Sequence, residues 1–517
     1  MAHAGESPPV LADFPLLREA RSLWESNRLD ESLDAFRRAV DREPRNVKAL
    51  LEAARALGGR YEVAEAERLL DRADALAGDD PRVGPVIAQS YRFLYRPGRA
   101  IAALERLRSL PGGLAPDMLA ELATLYEQTG RVREARDAIG ECIDRAPGHP
   151  EPRLVLARVE RRLGNVAEAE TILAELTAGG GPPMLHVRAW AEWCELRDRR
   201  GDYDGAVAAI ERAKALLRAT PDAVRLSQKA LAHNDVLRRL YADLDRPTLD
   251  AWARLNLPPD GRVSGVAHLL GFPRSGTTLL EQVLGAHPGL ADSPERAVFT
   301  RDVFPAMYKP QPLTLAALDS IPRERLVAQR RRYLDFMEAA IGEPLAGRVH
   351  LDKNPNHTSL TAGLYRLFPE SRFLVALRDP RDVLVSAYLR VFNLTEFSAP
   401  LLTWGGACVM YAFEMGVWLR LRTLMEGNWL EVRYEDTVAD LPAQARRATE
   451  FLGLPWDDRV LDYRAAAANK VVNSPTHEAV REPLYTRAVG RWRHYEKHLA
   501  PYLDRLTPFV RAFGYPP

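Results

Sequence analysis

Residues 271–278 read Gly-Phe-Pro-Arg-Ser-Gly-Thr-Thr, between the apolar run Val266–Leu270 and the stretch Leu279–Leu284, whose apolar spacing is helical. Strand, glycine-bearing turn and helix in that order make an anion cradle. Backbone N–H groups of the turn point outward, and the helix N-terminus adds positive potential. The spacing Gly271-x-x-x-x-Gly276 is that of a phosphate loop, but Thr277 stands where the loop lysine would be. Such a loop holds a phosphate or sulfate yet lacks the ammonium that reaches the β- and γ-phosphates of a nucleoside triphosphate. An ATP-dependent kinase is therefore disfavoured, and a different anhydride is expected.

Three further polar turns follow short apolar runs. Asp352-Lys353-Asn354-Pro355 follows Arg348–Leu351, Arg378-Asp379-Pro380-Arg381 follows Phe373–Leu377, and Arg433-Tyr434-Glu435-Asp436 follows Trp429–Val432. Helical stretches at 323–341, 360–367, 383–391 and 441–452 lie between or beyond these runs. Alternation of this kind predicts a parallel sheet with helices on both faces, and ligands of such sheets sit beyond the carboxyl ends of the strands. Four polar turns at one sheet edge would form one site.

The first half reads differently. Small turn residues recur at Asn27, Gly59, Gly98, Gly130, Gly164 and Gly201, about 34 residues apart, each between helical stretches rich in alanine. Paired helices at that period resemble tetratricopeptide repeats, which stack into an α-solenoid with a concave face. The expected organisation is a repeat solenoid over 11–244, a linker over 245–262 marked by Leu257-Pro258-Pro259-Asp260-Gly261, and an α/β domain over 263–517. With 517 residues there is room for full cores in both halves.

A net charge of +1 gives no global field toward nucleic acid or anionic membrane. Cys142, Cys194 and Cys408 have no metal-ligand spacing, which suits a reducing compartment. The N-terminal residues show no signal-peptide pattern, and the apolar stretch 401–419 is too short and too polar to span a bilayer. A cytoplasmic protein without a membrane span is expected, and a homodimer is compatible with the sequence.

Several of these motifs together resemble the sulfotransferases. The loop 271–278 looks like their 5′-phosphosulfate loop, and Arg378 with Ser386 eight residues on looks like their 3′-phosphate motif. Asp352-Lys353-Asn354-Pro355, Leu367-Phe368-Pro369, Val432-Arg433-Tyr434-Glu435-Asp436 and Val489-Gly490-Arg491-Trp492 resemble the bacterial tetratricopeptide-repeat branch and the tyrosylprotein sulfotransferases. The resemblance runs from residue 263 to about residue 500. It implies 3′-phosphoadenosine 5′-phosphosulfate (PAPS) as sulfuryl donor, with no metal.

The resemblance also implies roles. Arg274, Ser275, Gly276, Thr277 and Thr278 would cradle the phosphosulfate. Arg378 and Ser386, with Arg390 one helical turn on, would take the 3′-phosphate. Tyr434 and Arg491 match nucleotide-contacting positions. Lys353 would address the bridging oxygen, and Ser474 matches a serine near the transferred group. The general base is a histidine in cytosolic sulfotransferases and a glutamate in tyrosylprotein sulfotransferases. Glu295, eight residues after His287, matches the glutamate type, with His357 the second candidate. A magnesium-binding role for Asp352 is the weaker reading of its turn. The acceptor implied is a hydroxyl, including a tyrosine of a peptide or protein lying in the repeat groove. A glycan or small-molecule acceptor stays open, as does a repeat scaffold whose nucleotide fold no longer catalyses.

Overall fold

The computed structural model describes residues 11–293, 295–463 and 487–517. Two compact units are present: residues up to Asn165 with Phe336–Glu343, and Val166–Asp335 with Pro344–Pro517.

The first unit is built from helix pairs: Pro15–Glu25 with Leu29–Arg42, Val47–Gly59 with Val63–Ala77, Gly84–Phe93 with Pro97–Ser109, and Pro116–Gln128 with Val132–Arg145. Their buried faces are dominated by alanine and leucine, among them Ala35, Ala39, Leu50, Ala53, Ala66, Leu70, Leu104, Leu119 and Ala138. Small side chains at the contacts let helix axes approach closely. The pairs repeat at the expected period, so this half is an array of tetratricopeptide-like repeats.

The second unit opens with the helices Val166–Ala178, Pro183–Arg199, Tyr203–Arg218 and Pro221–Asp243. The stretch 245–262, expected as a linker, lies within this unit, and its first part is the helix Arg246–Ala253, capped by Asp245. The five strands that follow are β1 (Gly265–Gly271), β2 (Leu290–Ser293), β3 (Val349–Lys353), β4 (Arg372–Leu377) and β5 (Trp429–Arg433). They pair in the order β2-β3-β1-β4-β5, every pair parallel. Four of them follow the apolar runs of the sequence; β2 was not expected.

Alternation along the strands separates the two faces of this sheet. Ala267, Leu269, Val349, Leu351, Leu374, Ala376 and Val432 pack with Leu280 and Leu284 of the helix after β1, with Ala448 of the helix Leu441–Phe451 and with Leu452, which ends it. The opposite face carries His268, His350 and Asp352, all buried, with His268 stacked on Phe373 at 5.4 Å between ring centroids. The apolar stretch at 401–419 begins in the short turn Pro400–Leu402 and continues, after the cap Thr403, as the helix Trp404–Leu424, which is largely buried. Among the described residues no helix is long and apolar enough to cross a membrane.

Candidate active site

The chain leaves β1 through a turn that only particular residues can make. Gly271 has φ 136°, and a Cβ there would stand 2.5 Å from the Ala376 carbonyl oxygen. Gly276 has φ 97°, and its missing Cβ leaves room for the Tyr434 ring, which would otherwise be 2.8 Å away. Arg274 also lies in the left-handed region, at φ 78°, which costs a non-glycine residue about 1–3 kcal/mol and is sustained by its surroundings. Its Nε donates to Ser386 Oγ at 3.0 Å, and its carbonyl accepts from Arg378 at 3.3 Å. The helix Thr277–Leu284 then begins, with Thr277 and Thr278 buried in its first turn.

Arg378, at the end of β4, is anchored from several sides. It donates to the Ala488 carbonyl, lies 3.9 Å from Asp382, and its guanidinium sits 5.1 Å from the Tyr434 ring centroid. Asp382 in turn accepts from the backbone N–H groups of Gly490 and Trp492, each at 2.7 Å. The segment after residue 487 is thereby tied to the end of β4. Ser386 projects from the helix Pro380–Tyr388, which Asp379 caps by accepting from Arg381 N–H. Arg274, Gly276, Arg378, Ser386 and Tyr434 thus come together at one sheet edge.

Lys353, the last residue of β3, is 2% exposed. Its Nζ lies 2.8 Å from Glu295 and 3.2 Å from Glu281. Burial alone would lower the ammonium, but the two carboxylates outweigh it and hold Lys353 above its usual value. Glu281 responds in the opposite sense. Burial, helped by Asp292 and Glu295, raises it against the pull of Lys353, whose ammonium 3.2 Å away favours the carboxylate form. Nothing in the sequence motifs singled out Glu281. The available signal was a lone carboxylate in the apolar helix start, four residues after Thr277 and so on the same helix face.

Two expected nucleotide contacts are held elsewhere in the second unit. Arg390 pairs with Glu195 at 2.8 Å, and Arg491 pairs with Asp198 at 2.6 Å. Both carboxylates come from the helix Pro183–Arg199, three residues apart. Ser474 lies outside the described residues. His357 is fully enclosed, its Nδ1 3.7 Å from Asp352 and its ring edge-on to Phe299, and burial pulls it down to about 3. It stands with Asp352 rather than with Lys353. Asp352 itself is buried, accepts from the Tyr333 hydroxyl at 2.9 Å and is pushed up to about 7 by burial. A carboxylate so enclosed and so readily protonated is a poor magnesium ligand. His287 is structural: Nδ1 accepts from Gly289 N–H at 2.9 Å, which leaves Nε2–H to donate to the Pro455 carbonyl at 2.8 Å.

The loop and its neighbours fit a polyanion. Among the described residues, Ser275 Oγ and Arg378 Nε are buried donors without a protein partner, and buried donors of this kind call for an acceptor. They flank the glycine cradle at Gly276 and stand with the cations Arg274 and Arg378.

Comparison with known proteins agrees in kind. Residues 268–458 match the sulfotransferase family model, and residues 23–89, 86–150 and 120–184 match tetratricopeptide-repeat models. Protein-tyrosine sulfotransferase A of Caenorhabditis elegans is 27% identical over 266 residues, which is 50% of this chain and 68% of that protein. Protein-tyrosine sulfotransferase 2 of Gallus gallus is 27% identical over 266 residues, 48% of this chain and 68% of that protein. An uncharacterized protein of Aquifex aeolicus is 23% identical over 412 residues, 75% of this chain but only half of its own length. Among solved structures, the sulfotransferase domain of the Synechococcus PCC 7002 olefin synthase is 20% identical with a TM-score of 0.33, covering 46% of this chain and 90% of that domain.

Proposed function

Taking as premise that the second half of this chain carries a sulfotransferase-family domain behind tetratricopeptide repeats, we propose that it transfers a sulfuryl group from PAPS to an acceptor hydroxyl, a tyrosine of a peptide or protein. The observation that carries this reading is the buried Lys353 held against Glu295 at the end of β3, beside a loop that lacks the ammonium of a nucleotide-triphosphate site.

In the reaction the bond between sulfur and the bridging phosphate oxygen breaks, and a bond from the acceptor oxygen to sulfur forms. The acceptor proton goes to a base, and the electron pair stays on the phosphate of 3′-phosphoadenosine 5′-phosphate (PAP). Backbone N–H groups and hydroxyls of Arg274–Thr278 bind the 5′ group. Arg378 offers its planar fork, and Ser386 its hydroxyl, to the 3′-phosphate. Lys353 places a compact positive charge where charge develops on the leaving oxygen. Glu295, the more open of the two carboxylates on Lys353, takes the acceptor proton. A positioned base of this kind contributes about 10²–10⁴-fold. In this reading the repeats present the polypeptide acceptor.

The test is a transfer assay with labelled PAPS against tyrosine peptides and a panel of glycans and small phenols. PAP should raise the melting temperature without magnesium. A larger shift with ATP and magnesium would refute the donor assignment, and labelling of glycans alone would refute the tyrosine acceptor.

A further inference from the structure

Lys353 has two carboxylate partners of very different exposure. Glu295 is 38% exposed at its side chain, whereas Glu281 is 4% exposed. A catalytic base must leave its resting partner to meet an acceptor. If Glu295 were the only partner, its departure would strand an ammonium that water cannot reach, at a large cost in free energy. Glu281 removes that obstacle, because its own contact with Nζ at 3.2 Å does not run through Glu295. It also belongs to the helix Thr277–Leu284, whose first turn closes the anion loop. The element that fixes the loop therefore also fixes the lysine.

Resting on the sulfuryl-transfer reading, we infer that Glu281 is a positioning residue: it holds Lys353 charged and in register with the anion loop, so that Glu295 is free to take the acceptor proton. The charged groups around the pair are Asp292 on β2, Glu295 on the turn after β2, and Lys353 on β3, with Asp352 on the opposite face of β3. Removing the Glu281 charge leaves Lys353 with Glu295 alone. The ammonium then loses its proton more readily, and Glu295 is bound more firmly as the sole counter-ion.

The experiment compares Glu281→Gln and Glu281→Asp with the wild-type full chain. It measures kcat, acceptor and donor KM, PAP affinity by calorimetry, melting temperature, and the pH profile of kcat. For Glu281→Gln, kcat should fall at least tenfold while PAP affinity stays within threefold. Both limbs of the profile should move to lower pH, because one negative charge has gone from beside the titrating groups. Glu281→Asp keeps the charge and should keep the wild-type limbs with partial turnover. A fall in kcat and melting temperature together, with both limbs unmoved, would show a merely structural side chain and overturn the inference. So would unchanged kcat. If Glu281→Gln does not fold, Glu281→Asp decides: its shorter reach to Lys353 should lower kcat severalfold with PAP affinity kept, and a wild-type kcat would overturn the inference. A wild-type chain that transfers no sulfuryl group and binds no PAP would instead sink the functional reading, and the inference with it.

Discussion

Arg378→Ala isolates recognition of the 3′-phosphate. Arg378 is 7% exposed, its guanidinium rests against Tyr434, the Arg274 carbonyl and the Ala488 carbonyl, and its Nε has no partner among the described residues. A phosphate arriving there would gain a charge-assisted bond in a site largely closed to water. Loss of such a bond costs about 1.5–3 kcal/mol, which is roughly 10- to 150-fold in affinity. The same truncation frees the Ala488 carbonyl and leaves Asp382 without its neighbouring cation. Asp382 keeps its two backbone donors at Gly490 and Trp492, so the fold should lose only about 1 kcal/mol. Calorimetry with PAP and with adenosine 5′-phosphate, which lacks the 3′ group, separates recognition from disruption. Wild type should prefer PAP strongly, and Arg378→Ala should lose most of that preference while binding adenosine 5′-phosphate nearly as before. Arg378→Lys keeps the charge without the fork and should fall between. Equal loss for both ligands would place Arg378 in the scaffold and refute the assignment.

Lys353→Ala should lower kcat by about 10²–10³-fold, the range of an oxyanion donor, with little change in PAP affinity; poor PAP binding with normal turnover would make it an anchor instead. Glu195→Gln and Asp198→Asn release Arg390 and Arg491 from competing carboxylates and should each strengthen PAP binding up to about tenfold; unchanged calorimetry in both would remove these arginines from the nucleotide site. Glu414 is pushed up to about 8 by burial, although Ser359 donates to it from both N–H and hydroxyl. A carboxyl whose folded pKa lies above its unfolded value binds more protons when folded, so its contribution falls as pH rises from about 4.5 to 8. Glu414→Gln should therefore gain stability relative to wild type across that window in urea titrations, and a pH-independent difference would refute the burial argument.

The chemistry was legible where it is local. A strand, a glycine turn and a helix are neighbours in sequence, so the loop at 271–278 announces its own geometry. The helix at Pro380–Tyr388 begins three residues earlier than its apolar spacing indicates, yet Asp379 as cap and Pro380 in the first turn were there to be read. What escaped is tertiary. β2 has only four residues, two of them polar, and a single partner strand, so no periodicity could mark it. Glu281 carries no motif; its meaning comes from Lys353, which sequence separates and the sheet brings within 3.2 Å. The hold of Glu195 and Asp198 on Arg390 and Arg491 is likewise invisible without the fold, because repeat helices carry many exposed carboxylates.

The strand order has a consequence for how such a site could diversify. With β1 in the centre, the turns on one side of it, after β4 and β5, carry Arg378 and Tyr434, while those on the other side, after β3 and β2, carry Lys353 and Glu295. On the proposed reading, what recognises the nucleotide and what carries out the transfer occupy opposite flanks of one loop. Insertions after the short edge strand β2 could re-aim the acceptor end across generations while the nucleotide end stays under unbroken selection. One donor could then serve many acceptors without the fold being rebuilt.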